Sequence, residues 1–406
     1  MTKRQIERII IFSVLILAAM ILWGRGITKQ QYLEENFKTV SIRIQKDGVN
    51  SQTIKEALEN KADSATNDIP DITIWNYIKE KKVENKTLLT EASVGLYEVN
   101  GNMELVYPYS IKQGFFPDLE DNKGCVISNM LAYKLFRSAD VVGNTIVVDN
   151  KSYKIRGIVE DKNPVMLISS CKKEKIFYNM NLFYGNQKNA KKLAVDFLST
   201  FISPTNYKLI NQDILKYCLE IIKDFPIWLL AAYMLLIVLK NIWKRRAFVF
   251  QTIILIVVFF MLFFTFRWAF ELSLSIPQDF IPTKWSDFSF WTSKFGEVKD
   301  SLQSMKYLEP VPRDVIFQSY CMRIIFDILL ATTLMIIVII YHRMYLKEGN
   351  YLWIIIDVAL IQTLAIGILF FQGNIFNQIR GYYLVLPFYI TFMHIQKIIF
   401  SEDKLL

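Results

Sequence analysis

Side chains able to do acid–base, nucleophilic or metal chemistry are sparse in this 406-residue chain and are not grouped. The two histidines, His342 and His394, fall at the ends of apolar runs, where an imidazole serves better as an interfacial anchor than as a base. Four cysteines, Cys125, Cys171, Cys218 and Cys321, show no Cys-x-x-Cys or Cys/His spacing, which argues against zinc or dithiol redox chemistry. Three of them precede Pro226; this odd count implies no disulfide framework, and a bridge within Cys125, Cys171 and Cys218 stays open. No Ser/His/Asp grouping, metal-ligand cluster or Gly-rich phosphate loop occurs. Without a Walker A sequence, any work driven by ATP requires a nucleotide-binding partner. The expectation is a non-enzymatic chain with no cofactor.

The remaining chemistry-bearing residues are polar groups placed where they are costly. Arg323 and Asp327 lie four apart inside an apolar run and are expected to pair on one helix face. Asp357 stands alone in another and must find a partner in the helix bundle or be protonated. A proton or ion path normally needs several such groups in register, so structural pairing is the favoured role and transport chemistry the alternative. Trp285, Phe288, Phe290, Trp291 and Phe295 form an aromatic segment with Pro277, Pro282, Pro310 and Pro312 around it. It suits the headgroup zone, or a surface for a lipophilic substrate or partner peptide, with Trp285, Phe288 and Trp291 as its candidate face.

The elements that position these groups follow from hydropathy. About half the chain is apolar, 52%, and mean hydropathy is positive, which excludes an ordinary soluble protein. The net charge of +9 collects in short segments beside apolar runs, so it reads as topology rather than nucleic-acid binding. Ile6–Trp23, Pro226–Leu239, Ala247–Phe266, Cys321–Ile340, Tyr351–Phe371 and Gly381–Gln396 approach the ~20 apolar residues a span requires. Lys3-Arg4, Lys244-Arg245-Arg246, His342-Arg343 with Lys347, and Lys397 mark the inner side. The reading is six spans with both termini cytoplasmic, in the cell membrane. Ala18-Ala19-Met20 leads into Ile21-Leu22-Trp23 instead of a cleavage site, which favours an uncleaved anchor.

The expected divisions are an anchor over 1–26, an outer domain with a stalk over 27–225, and a five-helix membrane domain over 226–406 with an outer aromatic loop at 271–319. In the outer domain Thr39–Ile44 alternates as a half-buried strand, Asn50–Leu58 reads as a capped helix and Ile72–Trp75 as a strand. Lys175–Met180 reads as a strand, Gln187–Phe201 as a helix and Tyr207–Ile210 as a strand. Ser128 is an expected N-cap for Asn129–Phe136. Asn144–Val148, Asp149-Asn150-Lys151 and Ser152–Ile158 spell a hairpin. Gly114 and Gly143 suit turns that need positive φ or close backbone approach. Asn211–Phe225 is amphipathic and is expected to run unbroken into the second span, as a rigid lever or a simple stalk.

Gly114-Phe115-Phe116-Pro117-Asp118, Cys125-Val126-Ile127-Ser128, the helix ending Leu135-Phe136, Val142-Gly143-Asn144-Thr145-Ile146 and Tyr153–Val159 come in a distinctive order. This order resembles the extracytoplasmic core domain of the MacB/FtsX-type ABC transporter permeases, over Gly114–Asp161 by motif and over Thr28–Lys223 by element order. The resemblance implies an α-helical polytopic membrane protein with an inserted α+β two-lobed extracytoplasmic domain. It also implies a separate ABC ATPase subunit and a second permease copy or paralogue as partners, besides membrane lipids. The family seats a helix between its second and third spans on the ATPase, and commonly has four spans. Here that connection is only Lys240–Arg246, so Lys244, Arg245 and Arg246 become the candidate ATPase contact. The other class consistent with these residues is an ATP-independent membrane-anchored binding or bacteriocin-immunity-type protein.

Overall fold

Ser128 ends an apolar strand and turns its hydroxyl onto the Leu131 amide, which starts the helix the sequence announces. Asn50 does the same for the Thr53 amide at 2.8 Å. In the computed structural model such local signals assemble into one sheet and a set of long helices. The structure describes residues 3–62, 69–185, 190–204, 206–210, 213–246, 248–270, 281–282, 284–307, 311–345, 351–374 and 380–401. The chain divides into two units. Met1–Leu33, Ile214–Lys294 and Gln318–Leu406 make a helical unit, and Glu34–Asp213 with Phe295–Phe317 makes a sheet unit.

The sheet unit holds β1 (Val40–Lys46), α2 (Ser51–Ala62), β2 (Asp71–Asn85), β3 (Thr90–Asn100), β4 (Ile111–Gly114), β5 (Gly124–Ser128) and α3 (Asn129–Phe136). It continues with β6 (Thr145–Val148), β7 (Lys151–Val159), β8 (Val165–Ser169), β9 (Asn179–Phe183), α4 (Ala190–Phe197) and β10 (Asn206–Ile210). The strands form one ten-stranded sheet in the order β10-β1-β9-β2-β3-β8-β5-β7-β4, with β6 against β2 and β7. The expected pairing of first and last segments holds, since Ser41 faces Ile210 and Ile44 faces Tyr207. The two expected lobes share this sheet, because β2 and β3 are long enough to serve both ends. Lys175–Phe177 is not part of a strand: β9 begins only at Asn179, and Phe177 makes one bridge to Val49. Of the expected helix Gln187–Phe201, positions 187–189 lie outside the described residues, and a π-turn replaces the α-helix from Leu198.

Strand periodicity sorts the core onto two faces. Val94, Leu96, Cys125, Ile127, Met166 and Ile168 point toward Leu131 and Leu135 of α3. Their neighbours Tyr97, Val99, Val126, Val165 and Leu167 point the other way, onto Met103, Val106 and Tyr107, with Val311 packed against them. Val40, Ile42 and Ile44 meet α2 and α4 through Ile54, Ala57, Ala194 and Phe197.

The helical unit uses α1 (Lys3–Asn36), α5 (Asp213–Lys223), α6 (Phe225–Lys244), α7 (Val249–Ala269), α8 (Phe288–Tyr307), α9 (Pro312–Tyr345), α10 (Tyr351–Phe371) and α11 (Arg380–Ser401), with parts of α1, α8 and α9 in the sheet unit. Among the described residues, α1, α6, α7, α9 and α10 are long and apolar enough to cross a membrane. The sixth expected span is helical as α11, with Pro387 inside it and His394, Gln396 and Lys397 toward its end. Three expectations change. The helix begun in the first span continues to Asn36, past the anchor boundary at 26. The 271–319 region is not one loop, since it contains α8 and the start of α9; its first ten positions, Pro277 included, lie outside the described residues, as do Pro310 and Lys347. The stalk is not continuous with the second span: α5 stops at Lys223, Asp224 turns and α6 restarts at Phe225. Pro226 has no N–H to continue the ladder of α5 and suits the first turn of a new helix.

Candidate functional site

The sequence presents Thr39, Ser41 and Arg43 as the polar side of a half-buried strand, yet all three are buried. The cover is a short segment from much later in the chain, Val311–Phe317, which includes the first turn of α9. Arg313 is fully buried, 0% exposed. Its Nη1 donates to the Leu105 carbonyl at 2.7 Å and its Nη2 to Thr39 Oγ1 at 2.8 Å. The guanidinium lies 4.6 Å from the centre of the Phe37 ring, which in turn packs on Phe317 at 5.3 Å. Beside it, Arg43 Nη2 donates to Asp314 Oδ2 at 3.0 Å while its Cζ stands 4.9 Å over the Trp75 ring. Arg43 Nη1 donates to Ser41 Oγ, and Ser41 Oγ donates to Asn181 Oδ1 at 2.7 Å. Asn181 closes the network by donating to the same Leu105 carbonyl at 2.8 Å. A buried guanidinium costs least when its donors are paired, and here Arg313 and Arg43 are paired through their Nη atoms on one sheet face.

The same turn walls a groove of about 340 Å³. Val315 and Ile316 line it together with Tyr77, Lys79, Glu80, Gly95, Asp161 and Asn163. A bulge shapes its rim, where β2 and β3 change register between Ile78 and Lys81 and Glu80 adopts φ 61°. Asp161 is held in place, since its Oδ2 accepts the Tyr107 hydroxyl and its Oδ1 accepts the Asn163 amide at 3.0 Å. Burial first, then the Asp161 charge, pushes the Tyr107 phenol far above its ordinary range, so this bond carries no proton switch.

The Gly114–Asp121 segment shapes the opposite edge of the sheet. Gly114 has φ 76°, and a Cβ there would sit 2.0 Å from the Arg156 carbonyl oxygen. Phe115 N donates to that oxygen at 3.1 Å. Asp121 Oδ2 accepts from Arg156 Nε at 2.8 Å, which fixes the turn between β4 and β5. The β6–β7 hairpin turns through Asp149 and Asn150, with φ 47° and 63°, the mirror-image turn that two-residue hairpins prefer.

Residues 9–197 match the family model described as the MacB-like periplasmic core domain. The chain carries a MacB-like periplasmic core domain. Together with five helices long and apolar enough to cross a membrane, the first of which overlaps it, the match marks a membrane protein with an extracytoplasmic domain. Solved structures similar to the chain include the extracellular domain of the noncanonic ABC-type transporter YknZ from Gram-positive bacteria, at 11% identity, TM-score 0.35, covering 43% of this chain and 100% of that one. Another is the periplasmic region of MacB from Actinobacillus actinomycetemcomitans, at 15% identity and TM-score 0.37, covering 48% and 95%. A third is a domain of a putative permease protein from Porphyromonas gingivalis, at 13% identity and TM-score 0.31, covering 43% and 90%. No curated protein matches.

The candidate intramembrane, aromatic and ATPase-contact residues fall outside the matched residues 9–197. Asp327 does not pair with Arg323 on its own helix; its Oδ2 meets Lys29 Nζ of α1 at 2.5 Å. A lysine one helix away can reach a carboxylate that an i,i+4 arginine must bend back to meet. Asp357 finds Ser13, whose Oγ lies 2.8 Å from Asp357 Oδ2. Lys244 ends α6, Arg245 pairs with Gln251 at 2.8 Å and Arg246 stacks 5.3 Å over Trp243, and the chain turns here directly into α7. Trp285 and Trp291 stand 6.0 Å apart, and Phe288 is exposed at the start of α8. All four cysteines are free, with Cys125 buried in the sheet core. Arg313 and Asp314 were not among these residues. The signals were a Pro-x-Pro-Arg-Asp phrase, Pro310 to Asp314, and an arginine alternating with the apolar positions of β1.

Proposed function

We propose that the chain is the permease-type subunit of an ABC transport system. A separate ATPase binds nucleotide, and conformational change passes through the membrane helices to the core domain, which exports or extracts a lipophilic or peptide substrate. The observation that carries this reading is the core-domain match over residues 9–197 in a chain that also has five candidate spans. Six spans with both termini cytoplasmic fit the positions of Lys3-Arg4, Lys244-Arg245-Arg246 and Arg343. Lys244, Arg245 and Arg246 are then the ATPase contact, and a second copy or a paralogue completes the pore-forming pair. Asp327 with Lys29 and Asp357 with Ser13 serve as intramembrane pairing, and Trp285, Phe288 and Trp291 rest at the outer headgroup zone. The test is purification of the tagged chain from its own cells. An ABC ATPase recovered in near-stoichiometric amount supports the reading, and recovery of the chain alone under mild detergent rejects it.

One observation favours a second reading. Between α6 and α7 only the four positions 245–248 connect the helices, too few for a further helix to seat on an ATPase. An ATP-independent binding or bacteriocin-immunity-type protein needs no such helix. Peptide binding by the purified chain without nucleotide, and unaltered by it, would favour that class.

A further inference from the structure

A fully buried guanidinium keeps its charge at any accessible pH, so it must keep its hydrogen bonds or leave the interior altogether. Arg313 is held in the interior through both Nη atoms. Its bonds to Leu105 O and Thr39 Oγ1 are 2.7 and 2.8 Å long. A slide of α9 by one residue's rise, about 1.5 Å, is comparable to the margin between these lengths and the limit of a hydrogen bond. Phe317 and Asp314 follow the same turn, so Phe37 and Arg43 lose their partners together. Between Pro312 and Tyr345 the helix has no glycine and no internal proline, so a slide of the first turn is carried along its axis.

We propose that Val311–Phe317 is a two-state latch of the core domain, seated or released, with Arg313 as its positioning residue and the Arg43–Asp314 pair as its second bond. In the seated state the segment belongs to the second chain segment of the domain, closing the polar face of β1 and walling the groove with Val315 and Ile316. In the released state that face opens and the groove loses a wall. The inference rests on this geometry alone and holds whether or not an ATPase acts on the chain.

Hydrogen–deuterium exchange on the full chain in detergent micelles tests it. Arg313→Gln is expected to speed amide exchange about tenfold or more in Val40–Lys46 and Val311–Phe317, while β5 and β8 stay within about twofold of the parent. Exchange unchanged in β1, or raised equally in every strand, overturns the latch. Thr39→Val removes one acceptor without emptying the site, and is expected to raise exchange about three- to tenfold in the same two segments; no change there also overturns it. A Phe37→Cys/Phe317→Cys pair, oxidised in the Arg313→Gln background, is expected to restore protection to near the parent level. Failure of the closed bridge to do so assigns Arg313 to folding instead of latching.

Discussion

Gly114 and Gly143 both take positive φ, 76° and 92°, but their surroundings differ. A Cβ on Gly143 meets nothing within 4 Å, whereas one on Gly114 would collide with the Arg156 carbonyl. Gly143→Ala is therefore expected to cost about 1 kcal/mol, the strain of a left-handed L-residue. Gly114→Ala adds a backbone clash and is expected to cost about 3 kcal/mol or more, with β4 displaced from β7. Chemical denaturation of the full chain in detergent checks the order, and equal losses would refute it. Asp224 offers a pH test. Burial, only partly opposed by Lys223, raises its carboxyl to about 6, and no side-chain cap bond holds the charge. A raised folded value means that stability is fully present below about 3.9, the unfolded value, and falls as pH rises through about 6. Asp224→Asn should therefore raise the melting temperature at pH 7.5 and lose that advantage near pH 4. At this scale the sequence was legible where a residue's reason is local, as for the Ser128 cap and both glycines. Arg313 was not, because its partners Thr39 and Leu105 come from distant parts of the chain and no periodicity marks them.

Hairpin β6–β7, helix α3 and strand β1 could be read because each obeys a short-range rule of capping, turn or alternation. The ends of the long helices could not. Apolar counting stops α1 at Trp23 and starts α9 at Cys321, yet helix formation continues wherever intrahelical bonds and packing allow, to Asn36 and from Pro312. The break at Asp224 likewise needs Pro226 read as a helix start rather than as an interruption of an apolar run. These boundaries alter which element is suited to carry motion. A Gly-Ser pair inserted after Lys223 falls next to an existing turn, so it should leave the core domain folded and alter transport or resistance little. Replacing Gln318-Ser319 by Gly-Gly removes about 1 kcal/mol of helix propensity from within α9, and should abolish that activity while the core domain stays folded. Full activity after the α9 replacement, with loss after Lys223, would return the role to the α5–α6 connection.

At the scale of the whole molecule, hydropathy and charge made the membrane character legible, and an ordered set of motifs made the core domain legible before any coordinates. The count of six spans depends on α11, whose proline and late polar residues weaken its hydropathy, so charge must decide what apolarity does not. If both termini are cytoplasmic, single cysteines replacing Asn150 or Ser293, both on exposed positions, should react with an impermeant maleimide on intact cells. One replacing Glu402 should react only after permeabilisation, and labelling of Glu402→Cys from outside would sink the topology. That control makes the coupling prediction readable. Reversal of Lys244, Arg245 and Arg246 to Glu places three like charges where the proposed ATPase contact requires cations. It is expected to reduce ATPase recovery on the tagged chain about tenfold or more, equivalent to about 1.4 kcal/mol or more of lost association. The same reversal removes an inner-side anchor, so a drop accompanied by altered Asn150 or Glu402 labelling reports inverted helices and not a lost contact. Unaltered labelling with unaltered recovery would exclude Lys244–Arg246 as the docking point and leave the ATP-independent reading ahead.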